Sequence, residues 1–178
     1  WSGCARRPSM TGPEEFVFLN VPHKLESEND WNNASWPKLW LYNAHYFDDL
    51  VADGATSRRE WHRALIERWV NENPPARGNG WEPYPISLRI VNWVKWSLSG
   101  NTLSTSAVES LAIQSRFLFK SLEYHLLGNH LWANAKALCF AGLFYTGKEA
   151  DQWLTLGARL VAEQLNEQIL DDGGHFER

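Results

Sequence analysis

Residues 129–170 read NHLWANAKALCFAGLFYTGKEADQWLTLGARLVAEQLNEQIL. In the second half, Ala150, Trp153, Leu154, Gly157, Leu160, Val161, Gln164 and Leu165 recur at offsets of three and four. That is the period of one helix face, and it predicts a helix over 148–170. The first half is apolar on most sides, which predicts a helix over 129–145 that is buried on most sides. Only Thr146 and Gly147 separate the two. So short a loop makes neighbouring helices antiparallel. Asp172-Gly173-Gly174 then breaks the chain.

The same pattern extends toward the N-terminus. Val108, Leu111, Ala112, Ser115, Leu118, Phe119 and Leu122 predict a helix over 106–126. A helix over 84–98 begins beside Pro83 and Pro85, which suit a first turn because its amides lack partners. Trp61, Leu65, Trp69 and Val70 mark one over 58–71, and Trp40, Ala44, Phe47 and Val51 another over 38–52. Residues 72–83, with Pro74-Pro75, Gly78 and Gly80, interrupt the series. The predicted class is therefore all-α, three antiparallel helical hairpins in succession. Periodicity alone leaves a bundle, a repeat array and part of an (α/α) toroid open. Residues 1–37 form a separate N-terminal stretch, with a polar tail over 1–13, an apolar run Phe16–Leu19 suited to an extended segment, and a loop over 27–37.

Composition excludes several classes. The 178 residues are 44% hydrophobic and 21% charged, an ordinary globular balance. Seventeen basic against 21 acidic residues give a net charge of −4, which argues against a nucleic-acid surface. The longest apolar run, Ala137–Tyr145, falls far short of the roughly 20 residues of a membrane span. Cys4 and Cys139 make no disulfide framework, and C-x-x-C metal spacing is absent. Eleven Trp exceed what a core of this size needs. Most belong to the core, and the rest suit the C–H faces of sugars.

Three segments carry more polarity than scaffolding requires. In the first, Trp81 and Glu82 lead into a helix on which Arg89, Asn92, Trp93 and Trp96 share a stripe. A guanidinium between indoles can bind a sugar carboxylate, or Arg89 can pair with Glu82 while the indoles fill the core. In the second, Asn129 reads as an N-cap after Gly128, with His130 beside it and Asn134 four residues on. The positive end of a buried helix also favours an anion, and His130 beside it offers an imidazole for proton transfer. The third, with His175 and Glu177, follows a glycine turn and reads equally well as a solvated loop.

Taken in order, four motifs resemble the heparinase II/III family of polysaccharide lyases. They are Leu41-Tyr42-Asn43-Ala44-His45-Tyr46-Phe47-Asp48, Gly80-Trp81-Glu82-Pro83-Tyr84-Pro85 with Ser87-Leu88-Arg89, Gly128-Asn129-His130-Leu131 with Ala133-Asn134-Ala135-Lys136-Ala137-Leu138, and Asp172-Gly173-Gly174-His175-Phe176-Glu177. The resemblance runs from about Phe16 to the end. It implies an incomplete (α/α) toroid followed by a β-sandwich domain, of which this chain is a fragment. It implies β-elimination of a uronic-acid-containing polysaccharide, an acidic partner that needs positive charge somewhere, in a local basic cleft or a further domain. Asn129 then neutralises the uronate carboxylate, and His130 acts as neutraliser or base. Trp81, Glu82, Arg89, Trp93, His175 and Glu177 line or support the cleft.

In relatives a Tyr-His pair lies a few residues beyond the stretch resembling 173–177, past Arg178 here. The isolated chain is accordingly expected to be inactive or nearly so, with exposed apolar helix faces. No cofactor is expected in this stretch, although the β-sandwich of relatives often holds a structural metal. A periplasmic or secreted location is implied. Two other classes stay open. A hydrolase on a related toroid needs two carboxylates roughly 5–10 Å apart, with Glu82 and Asp48 or Glu177 as candidates. A non-catalytic glycan-binding or scaffold module needs neither.

Overall fold

The computed structural model describes residues 6–126, 129–170 and 172–174. An antiparallel hairpin opens the chain, β1 Glu15–Phe18 paired with β2 Val21–Lys24. Its two-residue turn holds Leu19 and Asn20 at φ 56° and 61°, the left-handed geometry that matches strand twist. Six α-helices follow: α1 Lys38–Tyr46, α2 Arg59–Glu72, α3 Pro83–Leu98, α4 Thr105–Lys120, α5 Asn129–Phe144 and α6 Lys148–Gln168. Among the described residues the domain is thus mostly helical, with six α-helices and a short hairpin.

Two expected helices stop early, each for a local reason. The helix predicted over 38–52 ends at Tyr46, because Phe47 is left-handed at φ 59° and a 3-10 turn over Asp48–Val51 follows. That conformation costs a bulky residue roughly 1–2 kcal/mol. Burial of the Phe47 ring, edge-on to Trp93 at 5.4 Å and Trp69 at 6.4 Å, offsets it. The helix predicted over 106–126 ends at Lys120. There the Ser121 hydroxyl donates to Phe117 O at 2.7 Å, a side-chain bond that competes with continuation.

α3 lies between α1 and α5 and touches both, while α4 packs on α2, α3 and α5. α5 and α6 form the closest pair. A Cβ on Gly157 would meet Ala135 O at 2.8 Å and Cys139 N at 2.9 Å, so only glycine allows that approach. Seven tryptophans are buried among the described residues: Trp31, Trp40, Trp69, Trp81, Trp93, Trp96 and Trp153. Core thus claims most of the indoles. Trp69 touches Phe47, Trp81 and Trp93, and cutting it to Ala would cost about 3–5 kcal/mol. Some apolar side chains remain exposed on the helices, Leu98 at 75% and Leu143 at 74% among them. Among the described residues, no helix is long and apolar enough to cross a membrane.

The N-terminal stretch joins the same core. Met10, Phe16, Phe18, Leu25 and Trp31 cluster with the helix residues. Asp49 anchors the stretch by accepting from the Ser9 amide at 2.6 Å and the Met10 amide at 3.0 Å. The same carboxylate takes Arg58 Nε and His62 Nε2, each at 2.8 Å. Burial acts to raise the Asp49 pKa, but the bonds from His62, Arg58 and the two amides outweigh it and hold it below the usual carboxylate range. We predict that Asp49→Asn, which cannot accept from Arg58, His62 and two amides together, destabilises the fold by about 2–4 kcal/mol in urea titrations. A loss under about 0.5 kcal/mol would show that the anchor is incidental.

Candidate active site

The site-bearing turn is set from inside the protein. Arg89 is fully buried on α3. Its Nη2 donates to Gly80 O at 2.7 Å, Nη1 to His45 O at 3.2 Å, and Nε to Gln114 Oε1 at 2.8 Å. The guanidinium plane lies 3.8 Å from the Trp69 ring centroid. A delocalised cation with amide and carbonyl partners and an aromatic face can be buried where a lysine would not be. Burial nonetheless pulls the Arg89 pKa well down. The turn Asn79–Trp81 is further held by Asn32 Oδ1 on the Asn79 amide (2.7 Å) and by Trp81 Nε1 on Asn73 O (3.1 Å). Gly80 passes so close to His45 that a Cβ would sit 2.7 Å from its Nδ1.

His45 has a defined tautomer by its partners. Trp69 Nε1 donates to its Nδ1 at 3.0 Å, so its Nε2 proton goes to Trp31 O, also at 3.0 Å. Burial, and then the Arg89 charge, push its pKa down to about 3.

Glu82 caps α3 from an extended conformation, with Pro83 at the first helical position. It does not pair with Arg89. Its carboxylate instead meets Lys38 Nζ at 3.0 Å and accepts from the Tyr42 hydroxyl. Burial, and then the hydrogen bond to Glu82, raise the Tyr42 pKa. From Tyr42 a line of rings continues to Tyr46 (6.4 Å between centroids), Tyr84 (5.9 Å) and His130 (4.5 Å). Burial, with Tyr84 next, raises the Tyr46 pKa as well.

Asn129 is the first residue of α5 and is exposed. The His130 side chain is one-third exposed, and its Nδ1 lies 3.1 Å from Glu123 Oε1. Glu123 Oε2 accepts from Asn134 Nδ2 at 3.0 Å, which also donates to Ser87 Oγ at 3.0 Å. Asn134 Oδ1 in turn accepts the Glu123 amide at 2.9 Å. His130 and Asn134 are therefore linked through Glu123. Sequence reasoning passed over Glu123 because it fell inside the overlong helix prediction for 106–126.

The structure brings Glu82 and His130 onto one strip, with Asn129 beside His130. Trp81, Arg89 and Trp93 lie beneath it, 4%, 0% and 0% exposed. The reading of Arg89 as a carboxylate ligand between indoles is corrected on this point, because its donors are turned to protein oxygens. These three residues support the strip from within. His175 and Glu177 lie outside the described residues. Among the described residues, no group of three or more His, Cys, Asp or Glu could hold a metal ion.

The class is a mostly helical domain with a strip of Tyr, His and carboxylate side chains drawn from α1 and from the starts of α3 and α5. Residues 39–178 match the family described as Heparinase II/III N-terminus, and the chain belongs to that family. It is 32% identical over 126 residues to a heparin-sulfate lyase of Bacteroides thetaiotaomicron, covering 64% of this chain and 18% of that protein. It is 38% identical over 55 residues to a heparin-sulfate lyase of Bacteroides stercoris, covering 30% of this chain and 8% of that one. The chain thus spans less than a fifth of the curated relatives it matches. No solved structure matches it significantly.

The buried neutral His45 makes a measurable prediction. Its folded pKa near 3 lies below its ordinary 6.5, so the unfolded chain binds the extra proton first. The contribution is full above pH 6.5 and drains away as pH falls toward 3. Stability from urea titrations should drop with a slope of up to about 1.4 kcal/mol per pH unit across that window. A flat profile from pH 6.5 to the onset of carboxylate titration near 3.8 would contradict a buried, neutral His45.

Proposed function

We propose that this domain belongs to a lyase that cleaves a uronic-acid-containing polysaccharide by β-elimination. One observation carries the reading: His130, one-third exposed, is oriented by Glu123 and braced by Tyr84 at the start of α5, directly after Asn129. The matched relatives, named heparin-sulfate lyases, point the same way and suggest a glycosaminoglycan substrate.

In this reading the Asn129 amide and the positive end of α5 neutralise the uronate carboxylate, which acidifies the C5 proton. A base removes that proton, and its electron pair forms the new double bond as the bond to the leaving glycosidic oxygen breaks. An acid protonates that oxygen. His130 serves as neutraliser or base. Glu82 and the tyrosines continue the wall on which the neighbouring sugars rest, and Trp81, Arg89 and Trp93 hold that wall in position. His175 and Glu177 complete the site from the C-terminal side. The six helices then form one arc of an (α/α) toroid, a placement supported by the side-by-side order of α1, α3 and α5. A periplasmic or secreted location suits such a substrate. Of the carboxylates that hydrolysis would need, Glu82 is engaged by Lys38 and Tyr42 and Asp48 by Arg6 and Asn92, while Glu177 lies outside the described residues.

The test is ultraviolet absorbance of the unsaturated uronate on a panel of uronate polysaccharides, with the full-length protein. We expect a rising signal that Asn129→Ala and His130→Ala each cut by about 100-fold or more. New reducing ends without absorbance would replace the lyase by a hydrolase. No product of either kind, with binding retained, would leave a glycan-binding module.

A further inference from the structure

The proposed chemistry leaves unused a cavity of about 900 Å³ at the other end of α3. Arg6, Arg59 and Lys95 line it, over an apolar floor that includes Trp96, Leu98 and Phe140. Lys95 Nζ lies 5.8 Å from the Phe140 ring centroid. Lys136 of α5 stands close by: burial first, and then the charges of Lys95 and Arg6, lower its pKa. Burial and Arg6 act on Lys95 in the same sense. Asp48 opposes both shifts, but it is itself held by Arg6 at 2.5 Å and by Asn92 at 2.8 Å.

Three cations lining one cavity, with no carboxylate among its lining residues, are an unexpected concentration in a chain of net charge −4. Their mutual repulsion works against the fold, and a bound anion would remove it. The place is also informative. Tyr84 and His130 meet at the starts of α3 and α5, Ser87 meets Asn134 one turn on, and Lys95 meets Phe140 further along. The two helices therefore run parallel from the His130 strip to the cavity. Tyr84 and Lys95 are eleven residues apart, about 16 Å along α3.

We propose that this cavity is a second anion site, which takes a carboxylated or sulfated sugar unit several rings away from the one at His130. Guanidinium and ammonium groups supply the charge-assisted hydrogen bonds, and the floor of Trp96 and Phe140 takes the apolar face of the ring. The site rests on the lyase reading for the identity of its ligand as a saccharide. It makes affinity depend on chain length, because a short ligand cannot reach both ends.

Calorimetric titration of the full-length protein with a heparan sulfate hexasaccharide and a disaccharide tests this. In the double variant Arg59→Gln, Lys95→Met we expect hexasaccharide affinity to fall at least about tenfold, and disaccharide affinity to change less than about twofold. A circular dichroism spectrum and a cooperative melting transition of the double variant like those of the unsubstituted protein would show that weakened binding does not reflect misfolding. Undiminished hexasaccharide affinity in the folded double variant overturns the proposal, as does an unsubstituted protein that does not bind the hexasaccharide. The two readings can fail separately. A protein that forms no unsaturated product yet loses hexasaccharide affinity on substitution keeps the cavity site and sinks the lyase. Normal product formation with unchanged affinity does the reverse.

Discussion

The Arg89 guanidinium is the constraint on which the rest of the site depends. It sits in the interior with oxygens of Gly80, His45 and Gln114 as its partners and the Trp69 face as its floor. A planar fork with fixed donor directions can satisfy three oxygens from three parts of the chain only if those parts are held in one arrangement. It thereby joins the end of α1, the turn before α3, and α4. Removing the cation would strand several buried acceptors at once, which is why the arrangement tolerates little slack. Gly80 must then pass over His45 without a side chain, and Glu82 emerges at the head of α3 facing Lys38 and Tyr42. The surface strip is in this sense an outgrowth of a buried cation.

Above that cation the strip is assembled from groups that steady one another. Tyr42, Tyr46, Tyr84 and His130 come from α1, α3 and α5, and each ring lies within reach of the next. Glu123 closes the far side by holding His130 with one oxygen and Asn134 with the other. Asn134 spends its remaining capacity on Ser87 and on the Glu123 amide. A histidine so placed keeps its orientation while part of its ring stays open to a ligand. Membership of the heparinase II/III family accords with that division between a locked interior and a polar, partly open rim.

The sequence made the helices legible because their apolar residues recur with the helical period, and α2, α3, α5 and α6 lie within about two residues of where that period puts them. It said less where a single residue overrides the period. Phe47 continues the apolar stripe of α1, yet its ring is buried by turning the backbone left-handed. Glu123 looked like one more helical position until Ser121 ended α4. The second strand, Val21-Pro22-His23-Lys24, offers no alternation to read. Arg89 and Trp93 illustrate a deeper ambiguity. A cation among indoles on one helical face is the same pattern whether it faces a ligand or the core, and only the positions of Gly80, Gln114 and Trp69 decide between them. Glu82, Asn129 and His130 lie at the starts of α3 and α5, where the local signals for a helix start put them, but what they do there is not written in that pattern.

The parallel run of α3 and α5 gives the surface between them a sense of direction. At one end both helices present amide groups, fixed in space and positive by geometry. At the other they present carbonyl ends, and the positive charge there is carried by long, movable side chains such as Lys95 and Lys136. A ligand whose two ends differ, as those of a sugar chain do, would not lie equally well both ways round. On the reading proposed above, the His130 end would be rigid and the Lys95 end compliant, so that the order of units along a ligand, and not just their charge, would govern what settles beside His130.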